Sequence, residues 1–148
     1  MHLRRIIPLA ILVLVAACGG ARPSAPPPGP SGAAAPAAAV ERFLRLVETK
    51  NYREMGLVFG TKDGNIYRID PARQVEQRMF AIASILEHES FSIANEEQIP
   101  GRFGEAVRMT VNLTSGRQRK QVPFTAVRSG TTWLVEQVDL ERITRIAF

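Results

Sequence analysis

Four residues of this 148-residue chain have side chains and settings that invite a chemical reading: Cys18, His88, Glu136 and Asp139. Cys18 is the only cysteine, so no disulfide can form within the chain, and its thiol follows three small residues, Val15-Ala16-Ala17. His88 stands between Glu87 and Glu89. A histidine can serve as acid, base or ligand near neutral pH, but neighbouring residues on a helix point apart, which makes this triplet poor metal spacing. At the end of a helix, His88 instead suits capping, where positive charge complements the dipole. Glu136 and Asp139 lie in one apolar stretch on opposite faces, Asp139 with Trp133, Val135 and Gln137, and Glu136 with Leu134, Val138 and Leu140. The plainer reading of both is a solvated strand face. No Ser/His/Asp set, no usefully spaced carboxylate pair and no Cys/His cluster stands out, so no metal or other cofactor is expected.

Three further motifs read as structure. Gly60-Thr61-Lys62-Asp63-Gly64-Asn65 pairs glycines with a lysine, but without the spacing of a phosphate-binding loop, and reads as a turn. Arg117, Arg119 and Lys120 form a basic hairpin tip that discourages edge pairing. Asn112-Leu113-Thr114 matches a glycosylation sequon by chance, inside a strand. The net charge of +5 falls to +3 when the leader arginines Arg4 and Arg5 are removed. A balance of that size is no nucleic-acid signature.

The elements that must position these residues begin with a leader. His2, Arg4 and Arg5 precede an apolar run, Ile6 to Ala17, that ends in small residues. A membrane-spanning helix needs roughly 20 apolar residues, and this run is shorter, as in a secretory signal. Val15-Ala16-Ala17-Cys18 resembles the lipobox of bacterial prolipoproteins at all four positions. The resemblance implies cleavage between Ala17 and Cys18 and a diacylglyceryl group on the Cys18 thiol, with acylation of the freed amine. Several acyl chains on one residue anchor a protein durably, where a single chain does not. Gly19, in place of the aspartate that retains lipoproteins at the inner membrane, implies the outer membrane with the domain facing the periplasm. Residues 1–17 are thus the signal peptide. Residues 18–36 are the lipidated cysteine and a Pro/Ala-rich tether, too poor in apolar bulk to order itself.

Residues 37–148 carry the periodicities of a folded domain. Val40, Phe43, Leu44 and Val47 form one helical stripe over 37–50. Asn51 and Glu54 read as a capping box for a shorter helix with Met55, Val58 and Phe59 on its apolar face, ended by Gly60. Asp70-Pro71 reads as N-cap and first turn of a third helix to Glu87, with Val75, Met79, Ile82 and Leu86 inward. The period then changes to two. Strands are expected at 90–94, at 103–113 with Phe103 on the Val107-Met109-Val111 face, at 121–128, and at 133–140. Pro123 argues for an edge or a bulge in the third of these. Trp133 is expected in the core of the last strand against the long helix, or else as an exposed binding anchor. Helices followed by a strand meander give an α+β fold with a four-stranded antiparallel sheet.

This order of elements, with Phe59-Gly60 closing the second helix and Trp133-Leu134-Val135 in the last strand, resembles the nuclear transport factor 2-like (cystatin-like) superfamily. The resemblance implies a curved sheet wrapped round a long helix, forming a cone. Its enzymes place an Asp, His or Tyr in that cone, so Glu136 or Asp139 pointing inward, or His88, would be the candidates for single-acid chemistry of isomerase or cyclase type. With few such groups, the reading taken is a non-catalytic, membrane-tethered module for a protein partner or a small apolar ligand. The enzyme is the alternative.

Overall fold

Each apolar stripe becomes regular structure here by finding another stripe to cover it. The computed structural model describes residues 30–144. Ala17 and Cys18, the rest of 1–29 and residues 145–148 lie outside the described residues.

Helix α1 (Pro36–Glu48) opens on a proline, whose fixed φ suits the first turn and whose missing N–H is not needed there. It buries Ala39, Val40, Phe43, Leu44 and Val47, the expected stripe. Lys50 ends it in the left-handed conformation (φ 55°), with its N–H on Val47 O and the Asn51 N–H on Leu46 O. That is a Schellman close with lysine where glycine is usual. Helix α2 (Tyr52–Val58) starts at once, with Asn51 Oδ1 accepting from Glu54 N at 3.2 Å. The Glu54 carboxylate lies 3.8 Å from the Arg42 guanidinium. Gly56 lets α2 approach closely, since a Cβ there would stand 2.6 Å from both Tyr67 and Val75. Phe59 is already extended and bridges to Val135.

The glycine loop is a small hairpin, β1 (Gly60–Thr61) with β2 (Gly64–Asn65), followed by a 3-10 turn, Ile66–Arg68. Helix α3 (Ala72–Ile85) differs from expectation at its start. Pro71 occupies the N-cap position without a side-chain bond, and Asp70 instead reaches Arg78 at 3.0 Å. Val75, Met79 and Leu86 are buried as expected, joined by Ala83, while Ile82 is half-buried.

Four antiparallel strands follow in spatial order: β3 (Ser90–Gln98), β4 (Ala106–Ser115), β5 (Gln118–Ser129) and β6 (Thr132–Val138). A short helix, α4 (Glu141–Thr144), follows β6. The fold is α+β. Strand β3 outruns its expected length because an irregularity between Ile93 and Asn95 renews the pairing. Phe103 falls in the loop before β4 and is exposed. Pro123 sits in an interior strand without penalty for a local reason. It is paired with Thr110, and its carbonyl accepts from Asp139 N, just beyond the end of β6. In antiparallel pairing a residue's N–H and C=O point the same way, so the absent donor faces a place where no ladder bond is required.

Helix α1 packs on β5 and β6, and α2 packs between α1 and α3. Trp133 is half-buried against the core, and the helix beside its strand is α1 rather than α3. The chain before α1 is also engaged. Ala33 and Trp133 exchange backbone bonds of 2.9 and 2.7 Å, and Gly32 N donates to Leu57 O at 2.9 Å. At Gly32 (φ 68°) a Cβ would lie 2.8 Å from Thr132 and Trp133. Residues 31–33, expected in the tether, therefore blunt the free edge of β6.

Candidate functional site

The interior is filled by large side chains. Phe43 meets Phe59 at 5.9 Å and Phe124 at 6.4 Å, and Met55, Met79, Leu86 and Met109 are fully buried around them. Among the described residues, His88 is the buried polar side chain.

His88 follows α3. Its Nδ1 bonds to Leu86 O at 2.7 Å, which satisfies a carbonyl of the helix end, as capping requires. Nε2 lies 3.1 Å from Glu48 Oε1 on α1 but without hydrogen-bond alignment. Phe91 packs edge-on against the ring at 5.6 Å. His88 lies beneath a cleft of about 190 Å³ between the ends of α1 and α3, edged by Glu48, Lys50, Tyr52, Phe80 and Ser84. Tyr52 and Phe80 meet edge to face, at 5.4 Å and 89°, and Phe80 is 56% exposed. The left-handed Schellman close is what turns Lys50 to this rim. The cleft presents an aromatic pair, carboxylates and an ammonium to solvent, while its imidazole is covered. That suits recognition better than proton transfer, because a general base must reach its substrate.

The two carboxylates lie elsewhere and apart. Glu136 is the unpaired residue at a β5–β6 irregularity, since Ala126 faces Val135 and Thr125 faces Gln137. Arg102, in the loop before β4, grips it with bonds of 2.8 and 3.0 Å. The bond to Glu136 raises the Arg102 pKa above its ordinary value, burial opposes this, and the charges of Glu136 and Glu105 add to it. Arg102 is thus charged at any working pH. Asp139 lies 3.9 Å from Arg142 and borders a polar surface groove with Arg108, Thr125 and Gln137. Neither acid joins the Phe43–Phe124 interior. Elsewhere, burial raises the Tyr67 pKa, with Glu76 adding and Arg53 opposing, and the phenol donates to Arg53 O at 2.8 Å.

Lys50, Phe80 and Arg102 were not singled out from sequence. Phe80 left one signal, as an apolar residue beside the α3 stripe rather than in it. Among the described residues no group of His, Cys, Asp and Glu could hold a metal ion, and no helix is long and apolar enough to cross a membrane.

No family model matches the chain, and no curated protein does. A solved structure of a designed nuclear transport factor 2-like protein is 14% identical, with 67% of this chain and 90% of the other covered and a TM-score of 0.41. The strands themselves make the fold α+β with a four-stranded antiparallel sheet.

Proposed function

We propose that this chain is a cell-envelope lipoprotein, anchored through acylated Cys18 after cleavage behind Ala17, most simply at the outer membrane facing the periplasm. Its domain, of nuclear transport factor 2-like type, is a non-catalytic recognition module. The anchor rests on the lipobox, and the superfamily on the order of three helices and a four-strand meander. The recognition reading is carried by one observation: the interior between the helices and the sheet is filled by Phe43, Phe124, Met55, Met79 and Met109. Binding then falls to the surface, and the Tyr52–Phe80 cleft is the place whose chemistry fits a protein partner.

Two measurements test the two halves. Palmitate labelling and membrane fractionation should both be lost in Cys18→Ser. A variant that labels and fractionates like wild type sinks the anchor. A photo-crosslinking residue at Phe80 should give a discrete adduct in cells that the same residue at Arg73, exposed on α3, does not. Identical patterns at both positions remove the cleft from the proposal.

A further inference from the structure

Three large apolar side chains are exposed among the described residues, and Phe103 is the most exposed, at 72%. Its loop is held fast. Arg102 N bonds to Ile99 O, Glu105 N and Ala106 N both bond to Arg102 O, Arg128 N bonds to Glu105 O, and the Arg102 side chain is clasped by Glu136. A phenyl ring is therefore kept in water by a loop with little freedom to withdraw it. Around it lies an open hollow bordered by Lys62, Arg128 and Gly130. Lys62 and Arg128 have no ion-pair partner among the described residues. The acid at the rim, Glu105, acts on Arg102.

The chain enters the domain beside this hollow. The Ser31 hydroxyl accepts from Asn65 in the hairpin that carries Lys62, and Gly32 lies against Thr132, two residues beyond Gly130. Eleven residues, Gly19 to Gly29, separate Cys18 from Pro30. At no more than about 3.6 Å each they span roughly 40 Å at most. An anchor at Cys18 would therefore hold the root of the domain within about that distance of the membrane, at an effective concentration that makes weak surface contacts count.

We propose that this face rests on an anionic lipid surface, with Phe103 entering the headgroup layer and Lys62 and Arg128 meeting lipid phosphates. The proposal rests on the lipid-anchored reading of Cys18. An apolar side chain flanked by basic residues gains from both parts of such a surface.

The test uses the full chain, acylated or as Cys18→Ser, carrying Trp133→Phe and Phe103→Trp so that position 103 holds the one indole. Circular dichroism checks the fold. If Trp133→Phe disturbs it, the reporter is read as a difference spectrum in the Trp133 background. The lipids are phosphatidylethanolamine–phosphatidylglycerol vesicles, with phosphatidylcholine vesicles for comparison. On the first, the reporter emission should shift to the blue and be quenched by lipids brominated high on the acyl chain. In the Cys18→Ser form, Lys62→Ala with Arg128→Ala should lower partition roughly thirtyfold. Acylated protein that floats with the vesicles while its reporter stays wet overturns the proposal and leaves the anchor standing. Equal flotation of both forms overturns the anchor, and a blue-shifted reporter then still supports the contact. An equal shift on phosphatidylcholine overturns the anionic requirement.

Discussion

Along β4 and β5 the two faces of the sheet are buried by different means. The inner face, with Met109, Val111, Val122, Phe124 and Ala126, belongs to the main core beneath the helices. The outer face alternates with it residue by residue and is divided. Arg108, Thr110 and Thr125 border an open polar groove. At the other end Ala106, Val127 and Leu134 pair across three strands and are buried although they are not part of the main core. The loop of residues 99–105, tied to β5 and clasped to Glu136, lies at that patch. Inner burial is redundant, since side chains of several elements share it. Outer burial depends on one loop and one ion pair.

Breaking each layer in turn should show this difference. The largest effect is expected at Phe124→Ala, which opens a cavity in the main core and costs about 3–5 kcal/mol in urea unfolding. Next comes Leu134→Ala, at about 2–3 kcal/mol, toward the lower end for leucine because a loop-covered site can collapse. A cost equal to that at Phe124 would show that the outer patch is a second core in its own right. Arg102→Ala should cost only about 1 kcal/mol, since the pair is half-exposed and screened. It should also speed amide exchange at Val127 and Leu134 while leaving Met109 and Val111 unchanged. Uniform acceleration would mean that the clasp supports the whole fold. Smallest is Thr125→Ala, one residue from Phe124 on the open face, expected within about 0.5 kcal/mol. A larger loss there would erase the distinction between the faces.

Much of the inner layer was legible in the sequence. The stripe Val40-Phe43-Leu44-Val47 and the alternation Val107-Met109-Val111-Leu113 name their buried faces, because a fixed backbone period puts those residues on one side whatever lies opposite. Asn51 announced its cap for the same reason, since its bond to Glu54 N closes within a few residues. Acid placement was not legible. Face assignment in β6 assumed an unbroken period of two, and the irregularity at Glu136 breaks it where Arg102 arrives from 34 residues away. Asp70 looked like a cap because the competing Arg78 is visible only once the helix is formed. Phe103 looked inward because the strand was extended back through it.

The sequence by itself determined which residues repeat with a helical or strand period, and that the one cysteine stands behind a short apolar run. These depend on local geometry and transfer free energy, which neighbouring residues set. Tertiary structure alone decided that His88 is covered, that residues 31–33 complete the edge of β6, that Glu136 is clasped on a loop, and that Phe103 is left in water beside the root of the chain. Each of these depends on what a distant segment brings to the same place, and a one-dimensional pattern carries no record of that partner.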